Sequence, residues 1–334
     1  MTTRKLISIV CPVYNEQECI PIFYERLRST LEPLCEIYDF EVIFTNNRSS
    51  DRSLELIQNI RLSDPRVQVL TFSRNFGYQP SILAGLRHAA GDAIVCIDVD
   101  CEDPPELIPR FVEEWERGFD VVYGDRKKRT ENLLVQWARM VFYRLNRLLA
   151  DTEIVLDMGD FLLLSRRVRD LMLANRTTFP FLRTEAAYVG FDRRAIAYRR
   201  QARVRGRTHF RFIALMKFAI GGILSSSTFP LRAVAFLFPP VFVAAAALAF
   251  LDLIEGSQRA FHALVALALL YIVLACACLA IYVARTYKNG VARPIFIVDW
   301  DQSALNGDHA RWTTDTIQDA AREESVEAVW RRRL

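Results

Sequence analysis

The sequence predicts an α/β domain with helices on both faces of a parallel sheet, followed by a C-terminal membrane hairpin. Three observations carry that expectation. Five short apolar runs, at 6–11, 40–45, 67–72, 93–98 and 121–124, alternate with stretches of helical periodicity, and such alternation builds parallel sheets. Polar segments close the runs at 14–16, 46–51, 74–79, 98–106 and 124–129, where sheets of this type hold their ligands. Two apolar stretches, 231–254 and 261–284, are each long enough to cross about 30 Å of hydrocarbon.

Taken in order, the first strand closes on Pro12-Val-Tyr14-Asn-Glu16, and helical periodicity spans 19–31. The second strand runs into Asn46-Asn47-Arg48-Ser49-Ser50-Asp51, where Ser50 or Asp51 suits the cap of a helix reaching 63. The third strand ends in a polar turn over 73–79, and a helix is expected at 80–90. After strand 93–98 come a helix over 105–117 and the strand at 121–124. Further on the pattern predicts a basic amphipathic helix at 133–150, a turn and short strand at 157–165, and a strand at 194–200.

The chemistry concentrates after the fourth run. Ala93-Ile-Val-Cys-Ile reads as a buried strand, and Asp98, Asp100 and Glu102 leave it in alternation before Pro104-Pro105. Alternation places the three acids on one side of the chain. Three carboxylates at that edge suit a hard divalent cation, Mg²⁺ or Mn²⁺, with open positions for the phosphates of a nucleotide diphosphate. A solvated acidic loop is the bland alternative; the buried strand before and the Pro-Pro stop after oppose it.

Composition narrows the field. Of 334 residues 51% are hydrophobic, and the excess sits in 229–284 rather than in an ordinary core. The formal net charge of +4 gives no footprint for nucleic acid. Basic residues gather at 193–217 and at the C-terminal end, which suits an anionic membrane surface or phosphate ligands. Seven cysteines without a Cys-x-x-Cys pair read as buried thiols in a reducing compartment. Four scattered histidines make a zinc site a poor reading. Neither a Gly-x-Gly-x-x-Gly after the first strand nor a Walker lysine loop is present, which disfavours dinucleotide oxidoreductases and P-loop NTPases. Met1-Thr-Thr-Arg-Lys5 leads straight into a strand, with no signal-peptide apolar region before it.

Only Glu255-Gly-Ser-Gln-Arg-Ala260 separates the two apolar stretches, so a hairpin is expected, and Pro239-Pro240 should kink its first helix. Arg232 stands at the very start of the pair, while Arg285, Lys288 and Arg293 follow it. The positive-inside rule then puts both chain ends and the catalytic part in the cytoplasm of a multi-pass inner (plasma) membrane protein. Residues 209–228 read as an interfacial helix, with a core-packed helix as the alternative. From 287 to 334 the expectation is a cytoplasmic tail, solvated or grazing the membrane, with a helix near 314–330.

The motifs as a set carry a resemblance. Val10-Cys-Pro-Val-Tyr-Asn-Glu16, Arg74-Asn-Phe-Gly-Tyr-Gln79, Gly91-Asp92, Asp98-Val-Asp-Cys-Glu-Asp-Pro-Pro-Glu106 and Val122-Tyr-Gly-Asp-Arg126 stand in the order of family 2 glycosyltransferases. Gly159-Asp-Phe161, Arg203-x-x-Gly-Arg-Thr208 and Arg293-Pro294 continue the match. Over about 5–298 the chain resembles the membrane branch, the polyprenyl-phosphate (bactoprenol) glycosyltransferases and dolichol-phosphate mannose synthases. The resemblance implies a GT-A (Rossmann-like) domain over 1–208 and a membrane hairpin over 229–286. It implies sugar transfer from a nucleotide-diphosphate sugar to a polyisoprenyl phosphate lipid, with Mg²⁺ or Mn²⁺ as cofactor.

By the same resemblance Pro12, Tyr14 and Glu16 line the nucleotide pocket, Asn46 and Asn47 meet base or ribose, and Asp98 and Asp100 hold the metal. Two departures stand out. Asn46-Asn47-Arg48-Ser49 replaces the usual Asp-Asp-Gly-Ser, and Glu102 fills a third metal position that is often Gln. Catalysis falls to Asp100, Arg126 and Asp160; Asp160 is open between acceptor positioning, general base and a structural turn acid. Arg126, Arg139, Arg203 and Arg207 suit bidentate grip on phosphate, with the last three assigned to the acceptor. Rival expectations are a polysaccharide synthase, transfer to another lipid acceptor, and a non-catalytic membrane scaffold. The sequence leaves the oligomeric state open, a homo-oligomer included.

Overall fold

The computed structural model describes residues 4–126, 158–175, 181–201, 228–256 and 258–306. Seven strands form one sheet: β1 (Lys5–Val13), β2 (Tyr38–Asn46), β3 (Val67–Thr71), β4 (Ala93–Cys96), β5 (Val121–Arg126), β6 (Met158–Ser165) and β7 (Arg193–Tyr198), in the order β3-β2-β1-β4-β6-β5-β7. The four helices α1 (Ile20–Leu31), α2 (Ser53–Ser63), α3 (Tyr78–His88) and α4 (Ile108–Glu116) fall where the periodicity predicts them. Asp51 supports the start of α2, its Oδ1 accepting from the Ser53 amide at 3.0 Å.

The core lies on both faces of the sheet, because its strands alternate apolar residues to each side. Ile7, Ile9, Phe44 and Val95 pack with Phe23, Leu27 and Phe111 on one face. Val10, Ile43, Ile94 and Leu162 pack with Ile82, Leu86 and Val168 on the other.

The expected all-parallel sheet is corrected to a mixed one. Where the pattern predicts a turn and a short strand, the eight residues of β6 are all buried and run antiparallel between β4 and β5. A run such as Phe161-Leu-Leu-Leu164 states burial on both faces but not direction, which the path of the chain decides. Two helices that the pattern did not predict, α5 (Arg166–Ala174) and α6 (Leu182–Tyr188), follow β6 and cover its end.

Helices α7 (Phe229–Glu255) and α8 (Gln258–Val291) are 27 and 34 residues long, about 40 and 50 Å at 1.5 Å per residue. Each is long and apolar enough to cross a membrane. Their large apolar side chains, Phe236, Phe242, Leu253 and Leu270 among them, are exposed, and so much bare apolar surface is foreign to a soluble monomer. Gly256, at φ +58°, closes α7 in the left-handed conformation. Tyr271 reaches across the pair to the Val234 carbonyl at 3.1 Å. Pro239 and Pro240 both lie inside one continuous helix.

The segment after α8 is not a free tail. Ala304 bridges antiparallel to Val69 of β3, the outer strand, and Val298 to Phe72 just beyond its end. Phe296, Val298, Trp300 and Leu305 pack on Leu70, Phe72 and Ala84. An edge strand exposes unpaired amides and carbonyls, and this strap covers them. The expected helices at 133–150, 209–228 and 314–330 lie outside the described residues.

Candidate active site

The carboxyl ends of β1, β2 and β4 meet along one edge, as parallel pairing requires. β1 delivers Pro12, buried within the strand, and then Tyr14, which is exposed, and Glu16. The Glu16 amide donates to Ser53 Oγ at 2.9 Å, and the Asn15 amide donates to Ser49 Oγ at 3.0 Å, so the loops after β1 and β2 are sewn together.

Asn46 and Asn47, expected to meet base or ribose, are tied into the surrounding loops. The Asn46 carbonyl oxygen accepts from the Ser49 amide at 3.1 Å. Asn47 accepts from the Phe76 amide at 2.8 Å and donates to the Gly77 carbonyl at 3.0 Å. Both are buried, at 1% and 4% exposure; Asn47 shapes the turn over 73–77 from within, and Asn46 the loop that follows β2.

Beyond β4 the acids separate. Tyr78 donates its hydroxyl to Asp98 Oδ1 at 2.7 Å. Asp100 Oδ1 accepts from the Glu102 amide at 3.0 Å. Glu102 turns to Arg200, 2.7 Å away, and its backbone carbonyl accepts from the Gln201 amide at 2.9 Å. Among the described residues no three His, Cys, Asp or Glu side chains gather as a metal-ligand group. Of the three expected carboxylates, Glu102 is the one held in an ion pair. Strand alternation ends at Cys96, and Cys101, at φ +60°, reverses the chain before Glu102 can follow Asp98 and Asp100.

Asp103, which the sequence reading passed over, is the most deeply set acid here, 1% exposed. It accepts from Tyr198 and from Arg126 Nη2, the latter at 3.0 Å. Arg126 also donates to the Tyr198 hydroxyl at 3.2 Å. The candidate catalytic Arg126 thus braces the acid loop against β7. Asp160, on β6, is held by both arms of Arg183 from α6. Asp103 lay inside the quoted Asp-Pro-Pro motif and Tyr78 inside Arg74-Asn-Phe-Gly-Tyr-Gln79, so both had a sequence signal; Arg183 had none. Arg139, Arg203 and Arg207 lie outside the described residues.

The electrostatics favour a cation. Burial first, and then the neighbouring charges of Asp100 and Asp103, push the Asp98 carboxyl up to about 8. A bound divalent cation would relieve that crowding. Two carboxylates with phosphate oxygens completing the shell are a usual way to hold Mg²⁺, so Asp98 and Asp100 fit such an ion.

The family model described as glycosyl transferase family 2 matches residues 8–171. An uncharacterized glycosyltransferase, YkcC, of Bacillus subtilis is 36% identical over 300 residues, 87% of this chain and 92% of that protein. The chain belongs to glycosyl transferase family 2. This glycosyltransferase is also 40% identical to a prophage bactoprenol glucosyl transferase homolog of Escherichia coli, over 68% of this chain and 74% of that one. The bactoprenol glucosyl transferase of Shigella phage SfX is 40% identical over the same shares. A solved mannosyltransferase of Pyrobaculum calidifontis, in complex with GDP-Man and Mn²⁺, is similar at 19% identity and a TM-score of 0.43, covering 86% of this chain and 88% of that one. That likeness is too distant to bear on the site. The glycosyltransferase has the mixed α/β sheet of the GT-A class, with its acids at the carboxyl edge.

Proposed function

We propose that this glycosyltransferase moves a sugar from a nucleotide-diphosphate sugar onto a polyisoprenyl phosphate, at the cytoplasmic face of a membrane that α7 and α8 cross as a hairpin. One juxtaposition carries the reading: the same chain joins an acid-tipped carboxyl edge to two exposed apolar helices. Relatives bearing the name bactoprenol glucosyl transferase support the acceptor class.

Asp98 and Asp100 would hold a Mg²⁺ or Mn²⁺ ion, which when bound neutralises charge on the departing diphosphate. Arg126, Tyr198 and Asp103 keep the loop that carries them in register. The Tyr78 hydroxyl orients Asp98. A phosphate acceptor is already an anion, so the transfer needs no strong base. Asp160, with both oxygens engaged by Arg183, serves to position α6 beside the cleft. Arg139, Arg203 and Arg207 are proposed to grip the acceptor phosphate, where charged hydrogen bonds contribute roughly 1.5–3 kcal/mol each.

Membranes containing the chain are incubated with UDP-glucose, UDP-GlcNAc or GDP-mannose and undecaprenyl phosphate, and the lipids are read by mass. A prenyl-phosphate hexose or N-acetylhexosamine is the expected product. Sugar appearing only on diacylglycerol, ceramide or polymer would overturn the acceptor assignment. For topology, external protease should spare tags at both ends; cleavage of a C-terminal tag from outside would refute the hairpin.

A further inference from the structure

Arg48 stands in the loop after β2 at φ +59°, a left-handed conformation that long side chains rarely occupy. An outlier of this kind asks for a function. The guanidinium Nη1 donates to Asp299 Oδ2 at 2.8 Å and to Gln302 Oε1 at 3.2 Å. Both partners belong to the strap that follows α8.

The strap is otherwise fastened to β3. The Asp299 amide donates to the Thr71 carbonyl at 2.8 Å, and the Ala304 amide donates to the Val69 carbonyl at 2.8 Å. Its far end is pinned by Asn306, whose amide donates to Gln68 Oε1 at 3.0 Å. Arg48 carries the attachment one strand inward, to the carboxyl end of β2. That loop is already joined to the loop after β1 through Asn15, Ser49 and Ser50. β2 lies two strands from β4, so the loop is roughly 10 Å across the edge from the strand that leads to Asp98, at about 4.8 Å per strand. A nucleoside diphosphate spans such a distance.

We propose that Arg48 is a positioning residue, a latch that fastens the post-membrane strap to the donor wall of the cleft. Through it the two apolar helices and the nucleotide end of the site are held as one unit. The proposal rests on the donor site proposed above. The side chains of Asp299 and Gln302 reach the donor wall through Arg48, from a place in the chain some 250 residues away.

The test uses the full chain in lipid nanodiscs, with whichever of UDP-glucose, UDP-GlcNAc and GDP-mannose is turned over fastest. Arg48→Gly suits the left-handed φ, so folding should survive it. The expected result is faster hydrogen exchange at the Asp299 and Ala304 amides, with a donor KM raised about two- to fivefold, the range of a part-exposed charged pair. KM for undecaprenyl phosphate should stay unchanged. Asp299→Arg alone should reproduce the donor defect, and Arg48→Asp combined with Asp299→Arg should restore KM. A wild-type donor KM in Arg48→Gly, or no rescue in the swapped pair, overturns the latch. Asp100→Asn run alongside tells two failures apart. If it is inactive while Arg48→Gly is normal, the latch alone is wrong; if it is fully active, the donor site falls and the latch with it.

Discussion

Arg183 of α6 grips Asp160 of β6 with two parallel bonds, Nε to Oδ1 at 2.9 Å and Nη2 to Oδ2 at 2.7 Å. Asp160 is 7% exposed, so removing either partner leaves a charge with little water to meet it. Asp160→Ala should therefore lower unfolding free energy by about 3 kcal/mol, as broken buried pairs do. Denaturant titration of Asp160→Asn, Arg183→Gln and the double variant should show the double costing less than the sum. Strict additivity would mean that the pair does not act as a unit.

The proposed cation site on Asp98 and Asp100 bears on Glu102 as well. Asp100→Asn should cut transfer at least about a hundredfold, since charge neutralisation of the diphosphate is lost. Chelator should do the same, and added Mn²⁺ should reverse it. Glu102→Gln should leave the Mn²⁺ titration curve near wild type, because its carboxylate is engaged by Arg200. With the Asp98 carboxyl at about 8, protons and cation compete for it. Apparent Mn²⁺ affinity should then weaken as pH falls below about 8, by up to roughly tenfold per unit. A flat profile between pH 6 and 8 would remove Asp98 from the ligand set.

A different carboxylate sets behaviour in acid. Burial works to raise Asp64, but hydrogen bonds from Arg66 and Tyr24 outweigh it and hold the carboxyl near 2, below its ordinary 3.8. A depressed folded value stabilises the chain above the unfolded value and is lost as pH falls through the folded one. Asp64 should thus contribute about 1–2 kcal/mol at neutral pH, allowing for screening, and that part should vanish between about pH 4 and 2. Asp64→Asn should be less stable at pH 7, and its deficit should shrink over the same interval in acid.

Glu41 sits buried at the other end of the sheet as the centre of a polar knot. It accepts from Ser8 Oγ at 2.5 Å, Gln68 Nε2 at 2.7 Å and the Ala90 amide at 2.7 Å. Glu41→Ala strands all three donors, so a loss of about 3 kcal/mol is expected. Glu41→Gln should recover part of it. The midpoint of thermal unfolding, measured on both variants, checks the order.

The positions of the first five strands and their helices were legible because burial and hydrogen bonding there are local. An apolar run at strand period and an amphipathic run at helical period each dictate their own element. The acids after β4 were legible for the same reason: a buried strand must end, and its polar exit has to face the edge. The two apolar helices follow from length and composition alone.

Direction, partner and docking are not local quantities, and only the tertiary structure decided them. The run at 161–164 announces burial in either orientation, and antiparallel pairing with β4 and β5 came from where the chain returned. Glu102 has a ligand's chemistry, but Arg200, 98 positions later, reaches it in space. Asn46 and Asn47 carry a ligand contact's chemistry, but that Phe76 and Gly77 fold back onto Asn47 and Ser49 onto Asn46 is decided in space. The strap reads as a tail because its one short apolar run, Ile295-Phe-Ile-Val298, has no periodic neighbour to name its partner. It is fastened beside the sheet only because β3 offered an open edge and Leu70 and Phe72 a surface to cover. A sequence states which groups must be buried or paired, and the packed chain chooses with whom.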